Sequence, residues 1–365
     1  MTAKSVLALP TELLALTCSF LAPEDVLSFA LSSRTCAVGA GDILNGLRRI
    51  FRQYKTVDDD DCAALLQKLR IVLNDDFRAG CIRHLEIGHV RSSWADWTTA
   101  DDQDEQRRNF DLNNTLDLQL QSTSSPTGSD QWQKYYDYEE LEHYRRLLRT
   151  HIFRNFTANT LSNEHISMLR HGQDDALKLL LIAMSPRLES LTFYALPPTK
   201  QGQTRICPHP LFYSFLAHDQ DIRQIFDPDT RWFARSSPRE SPWPPGFLSL
   251  RKVSICAPLP SDRPSEPFYA RPANVAGLFW LPNIETLELH HLRHRRDGDE
   301  WIDIKIGCSS VKNLRFESCQ IQTSTMLRLI TASKALRQLT IKKCGRNLAS
   351  VSKWVGNWYA HSLGT

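Results

Sequence analysis

"CSSVKNLRFESCQIQTSTMLRLITASKALRQLTIKKC", residues 308–344, contains one short phrase twice. Val311-x-x-Leu314-x-Phe316 returns as Leu336-x-x-Leu339-x-Ile341, and in both a cysteine stands three positions later, at Cys319 and Cys344. Alternation of apolar and polar residues over so few positions is the mark of a strand with one buried face. Between the two phrases "TMLRLITASK" (325–334) carries apolar residues at helical spacing. Strand, helix, strand is therefore the expected order, and a unit that repeats this way hides its apolar side only by stacking on the next.

Working back along the chain, the phrase occurs four more times. Ile82, Leu85 and Ile87 form one copy; Leu188, Leu191 and Phe193 another; Leu250, Val253 and Ile255 a third; Ile284, Leu287 and Leu289 a fourth. Any amphipathic strand can produce a single match, but six with helices between them specify an architecture. "DDALKLLLIAM" (174–184) and "NVAGLFW" (274–280) are, with 325–334, the intervening helical segments, and "CAALLQKLRIVLNDDF" (62–77), ahead of the first copy, also has helical periodicity. The pattern L-x-x-L-x-L-x-x-(N/C) is that of leucine-rich repeats, one strand plus one helix per repeat. The early copies are far apart because polar or Pro-rich stretches interrupt them. Residues 91–134 are poor in apolar residues and predict a long loop, and 197–246 ("LPPTKQGQ", "SSPRESPWPPG") predict irregular loops. Trp94, Trp97 and Trp132, and Trp232 and Trp243, lie in or beside these insertions and are read as anchors to the core. "YEELEHYRRLLRTHIF" (138–153) predicts a helix with Glu-to-Arg pairs on its exposed side. The acidic run Asp58 to Asp61 reads as a solvated helix start.

The N-terminal stretch "LALPTELLALTCSFLAPEDVLSFALSSR" (7–34) is oily enough to suggest a secretory leader, but Pro10 and Glu12 split its apolar centre. Physically it is two short amphipathic helices with a corner at "APED". Pro10 suits a first helical turn, and Pro23, Glu24 and Asp25 begin the second helix. "DILNGLRRIFRQY" (42–54) predicts a third. Helices this short are marginal alone, and they carry more apolar residues than two helices can hide. In Leu9-Pro10, Glu12-Leu13-Leu14, Phe20-Leu21, Pro23-x-Asp25, Leu27 and Arg34 the stretch resembles an F-box, over about forty residues. Two positions depart from that pattern: Thr17-Cys18 replaces the usual apolar pair, and Cys36 stands where many members have Trp.

An F-box followed by degenerate leucine-rich repeats resembles the fungal-type F-box proteins. The expected fold is then α/β: a short all-α module over 1–54, followed over 55–365 by an irregular leucine-rich-repeat solenoid with a curved parallel sheet. The resemblance implies a non-catalytic substrate adaptor of an SCF-type E3 ubiquitin ligase. Its F-box would dock a Skp-type linker protein, and through it a cullin, using Leu9, Pro10, Leu13, Leu14, Phe20, Leu21 and Leu27. The alternative is a leucine-rich scaffold that acts without ubiquitylation. In either case the outward residues of the strands would hold an as yet unidentified protein, with Lys252, Thr286, Glu288, Asn313, Arg315, Gln338 and Lys342 the leading candidates. Ser190, Thr192, Ser254 and Thr340 would line the same face.

Composition agrees with this and excludes other classes. A net charge of +3 with no dense Lys/Arg stripe gives no footprint for nucleic acid, and no apolar run approaches the roughly 20 residues a membrane span needs. Nine scattered cysteines without a CxxC pair suit a reducing cytosolic or nuclear setting, most of them as small buried hydrophobes. Gly39, Gly41 and Gly46 do not have phosphate-loop spacing. Cys207 with His209, and His290, His291 and His294, lack the second ligand pair of a zinc site and read as surface groups. No cofactor, metal or catalytic constellation is expected. The final "SVSKWVGNWYAHSLGT" is helix-like, which implies a truncated product or a minimal cap.

Overall fold

Each of the six phrases becomes a strand, and a seventh precedes them. The computed structural model describes residues 9–88, 91, 93–94, 97, 131–152, 159–194, 243–257, 275–292 and 304–344. Within these, β1 (Thr56–Asp58), β2 (His84–Ile87), β3 (Ser190–Tyr194), β4 (Lys252–Ala257), β5 (Thr286–His290), β6 (Asn313–Glu317) and β7 (Gln338–Lys342) form one sheet. Every neighbouring pair is parallel, and spatial order follows chain order. Parallel neighbours need a crossover connection, commonly a helix, and helices do lie between several of them. The described residues thus form an α/β fold with a single all-parallel sheet.

Register explains why the phrase repeats. Val57, Leu85, Leu191, Val253, Leu287, Leu314 and Leu339 stand side by side in one row. All but Leu339, on the edge strand, are inaccessible to solvent. After β5, β6 and β7 the chain turns the same way each time: His291, Ser318 and Lys343 all have φ near +50°, and the next residues, Leu292, Cys319 and Cys344, are all buried. The Cys319 thiol donates to the Leu289 carbonyl and that of Cys344 to the Lys342 carbonyl, each at 3.3 Å. The cysteines of the repeated phrase therefore tie the turn to the strand backbone.

The acidic run needs a correction. Asp58, Asp60 and Asp61 are exposed, and Asp61 caps α5 (Cys62–Asn74) by accepting the Ala63 N–H at 2.8 Å. Asp59 is instead buried. Tyr54-x-x-Val57-x-Asp59 is a further copy of the phrase, with a carboxylate at the third inward position. Lys178, on α9 (Asp175–Met184), reaches Asp59 at 2.9 Å and Asp174 at 3.0 Å, while Arg91 meets Asp174 at 3.0 Å. The Gly88 N–H donates to Asp59 at 2.7 Å, and Arg91 donates to the carbonyl oxygens of Asp59 and Asp60. Two buried carboxylates thus face two buried cations. Burial alone would depress the Lys178 amine, but Asp174 and Asp59 hold it above its ordinary value.

The remaining helices follow the sequence with shifted ends. α6 (Asp76–Ala79) extends the segment after α5. α7 (Tyr138–Leu147) runs into a π-turn, Leu148–Ile152; Glu142 pairs with Arg145, whereas Glu140 is drawn away to Arg70 of α5 at 2.7 Å. α8 (Asn159–Arg170) was not anticipated. α10 (Pro245–Ser249) corrects the reading of 197–246 as wholly irregular: it packs on α9, with Gly246 so close that a Cβ would meet the Ile182 carbonyl oxygen at 1.7 Å. A 3-10 turn at Gly277–Trp280 precedes β5, and α11 (Thr323–Thr331) joins β6 to β7.

The neck of the first insertion is an aromatic clasp. Trp94 and Trp97 are buried on its leading side and stack around Tyr135 and Tyr136 on its trailing side, with ring centroids 4.7–6.2 Å apart. Their indole N–H groups donate to the carbonyls of Arg170 (3.0 Å) and Gly172 (2.6 Å). Arg170 lies over the ring of half-buried Trp132, and buried Trp243 packs on Phe247. The anchoring expected of these four tryptophans is what they do. Trp232, Cys207, His209, His294, the interior of both insertions and the C-terminal 345–365 lie outside the described residues.

Ahead of the sheet, α1 (Thr11–Ser19), α2 (Pro23–Ser32), α3 (Arg34–Gly39) and α4 (Gly41–Tyr54) surround a small core of Cys18, Val26, Ala30 and Ala40. The α4 stripe continues past it. Ile43, Leu44 and Leu47 face that small core, while Ile50, Phe51 and Tyr54 pack into the core of the sheet. One helix therefore joins the two regions.

Candidate functional site

Two surfaces collect the residues the sequence singled out. The first lies on the N-terminal helices, which are apolar on two faces. Inward, Leu14 and Cys18 of α1, Val26 and Ala30 of α2, and Cys36 of α3 are buried. Outward, α1 and its C-cap show Leu13, Leu16 and Phe20, α2 shows Leu27 and Leu31, and α3 shows Val38. Phe20 is 81% exposed and Leu31 78%. Helical spacing explains the division, since residues three, four or seven apart share a face. Pro10 caps α1, accepting N–H groups of Leu13 and Leu14 at its carbonyl, and Pro23 opens α2.

Of the seven residues expected to dock a linker protein, Leu9, Pro10, Leu13, Phe20 and Leu27 are exposed. Leu14 is buried, with its Cβ side against Gly39, so it belongs to the support of the surface and not to the surface. Leu21 is half-buried against the small core. Leu16, Leu31 and Val38 are exposed as well and were not among the seven. Spacing from Leu13 and Leu27 would have found the first two.

The second surface is the outward face of the sheet. Alternation places Lys252, Thr286, Asn313 and Gln338 in one registered row, and Glu288 and Arg315 in the next, with Lys342 beyond. Ser190, Thr192 and Thr340 join these rows, as does Ser254, which is buried beneath its neighbours. Many are already engaged with one another. Glu288 accepts Lys252 at 2.8 Å and the Ser254 hydroxyl at 2.5 Å; burial would raise its carboxyl, but these bonds hold it below the ordinary range. Arg315 pairs with Glu317, and the Asn313 amide donates to Thr286 at 3.2 Å. His84 and Glu86 of β2, and Asp58 of β1, extend the rows and were overlooked. His84 and Glu86 alternate with Leu85 and Ile87 as plainly as any later copy.

His290 corrects another reading. It is buried, not a surface group, and burial lowers its pKa against the opposing pull of Glu317, whose carboxylate lies 3.7 Å from Nδ1. Among the described residues no cluster of ligands could hold a metal ion, and no helix is long and apolar enough to cross a membrane. Comparison with protein families, curated proteins and solved structures finds no match to this chain. Any family reading therefore rests on its own residues.

Proposed function

We propose that the chain is a substrate-recognition adaptor of an SCF-type ubiquitin ligase, with an F-box at its N-terminus and leucine-rich repeats after it. The observation that carries this is the double-sided apolar character of α1 to α3. Monomeric proteins seldom leave large apolar side chains out on three successive helices unless a partner covers them. The occupant is a Skp-type linker protein, contacted by Leu9, Pro10, Leu13, Phe20 and Leu27, with Leu16, Leu31 and Val38 added. The repeat reading is supported by the registered row of apolar residues, the recurring left-handed turn and the buried cysteines after it. The adaptor itself does no chemistry; it brings a substrate lysine close to the ubiquitin-carrying enzyme and so raises its effective concentration. Titrating the purified chain with a Skp-type linker protein tests the proposal. Saturable one-to-one binding is expected, and its absence at high micromolar concentration would leave only the scaffold without ubiquitylation.

A further inference from the structure

Strand β1 changes what the sheet face offers a partner. With it in place, one outward row reads Asp58, Glu86, Thr192, Ser254, Glu288, Arg315 and Thr340 in register. The row is acidic where it starts, and exposed Asp60 stands just beyond Asp58. At the far edge Arg315 is followed by exposed Lys342 and Lys343, against the single carboxylate of Glu317. Between the ends Lys252 neutralises Glu288. The row one residue before the strands adds no such division, because Lys55 and Arg83 stand at one end and Arg337 at the other. Within that row Arg83 pairs with Glu189, and Arg251 and Lys312 with Glu285. The charge gradient therefore belongs to the outward face itself.

We propose that this face takes an extended protein segment whose charge is divided, basic toward one end and acidic toward the other. The segment lies across the strands with its basic end over β1 and β2 and its acidic end over β6 and β7. This rests on the reading of the sheet face as the substrate-holding surface. Six steps between neighbouring strands at roughly 4.8 Å span about 29 Å, which an extended chain at roughly 3.3 Å per residue crosses in about nine residues. Complementary potential at both ends fixes the direction of the segment and rejects one of uniform charge, because one end always meets like charge.

The full chain, titrated with labelled Lys-Lys-Lys-Ser-Gly-Ser-Glu-Glu-Glu, is compared with a peptide of identical composition in which Lys and Glu alternate. The divided peptide should bind about tenfold tighter, and the preference should fade as salt is raised. Asp58→Lys with Glu86→Lys should abolish it, as should the milder Asp58→Asn with Glu86→Gln. Adding Arg315→Glu and Lys342→Glu to the first pair inverts the gradient and should restore the preference, with melting temperature recorded for each variant. Equal binding of the two peptides to the unaltered chain overturns the proposal. So does a failure of the four-fold variant to recover while it melts like the unaltered chain. Capture of a Skp-type linker protein, measured on the same samples, separates the two claims. Lost peptide preference with retained linker capture sinks this inference alone, and the reverse result sinks the adaptor reading while the charge-divided surface stands.

Discussion

The helical N-terminus and the sheet distribute apolar residues in opposite ways. Beneath the sheet the largest side chains are innermost: Phe193, Phe247, Phe279 and Phe316 are fully buried, and the outward face is polar. In α1 to α3 the buried side chains are mostly small, Cys18, Val26, Ala30 and Cys36 beside Leu14, while the large Leu13, Leu16, Phe20, Leu27 and Leu31 face solvent. Burial of a Leu or Phe is worth roughly 1.5–3 kcal/mol, so the sheet realises that contribution within the chain and the helices leave much of it unrealised. The sheet thus covers its large side chains with the chain itself, whereas the helical region leaves several of its own exposed.

Substitutions at matched residue types sharpen this contrast. Phe316→Ala removes a buried ring from β6 and should cost about 3–5 kcal/mol. Asp174→Ala should cost a similar amount, about 3–5 kcal/mol, because Lys178 and Arg91 would be left buried and under-compensated. Denaturant unfolding measures both, and an unchanged midpoint in either would break the picture of a self-sufficient sheet. A smaller effect, about 1–3 kcal/mol, is expected of Gly172→Ala. Its φ of +86° disfavours a side chain, and a Cβ would come within 2.4 Å of the Trp94 nitrogen. Tryptophan fluorescence should shift with it, since the aromatic clasp is displaced.

Acid should weaken the sheet through His290. Burial lowers its folded pKa below the ordinary 6.5, so the unfolded chain takes up its proton first. The stabilising neutral form is fully present above pH 6.5 and is lost as pH falls from there toward the folded value, at no more than about 1.4 kcal/mol per pH unit. His290→Gln should reduce the slope of stability over that window without removing it, because burial also lowers the pKa of neighbouring His291; an identical pH profile would remove His290 from the account. The smallest expected effect is that of Phe20→Ala, within about 0.5 kcal/mol of the unaltered chain, because the ring has little to lose in the isolated protein. A loss comparable to Phe316→Ala would mean the two regions do not differ as described.

Six strands, their inward residues and the tryptophan anchors were legible because period-two alternation survives in each copy of the phrase. β1 was hidden because Asp59 occupies an inward position, and only its distant partner Lys178 makes a carboxylate tolerable there. No local pattern announces a partner over a hundred positions away. α10 was obscured by "PWPPG", where Pro245 opens a helix instead of ending one. On the helical surface the exposed set was partly readable, but Leu13 and Leu14 are adjacent and equally apolar. Only the packing of α3, through Gly39, decides that Leu14 points inward. The gradient across the sheet face was out of reach without β1, since its acidic end begins there.

The central claim, that the outward apolar residues of α1 and α2 exist for a linker protein, is tested most directly by Leu13→Ala with Phe20→Ala. Both residues are exposed, so the double variant should unfold at the same denaturant midpoint as the unaltered chain, within about 0.5 kcal/mol. Its affinity for a Skp-type linker protein in the same titration should fall by about a hundredfold or more, as expected when two large anchors worth roughly 1.5–3 kcal/mol each are truncated. Unchanged affinity in a variant that remains folded would contradict the claim.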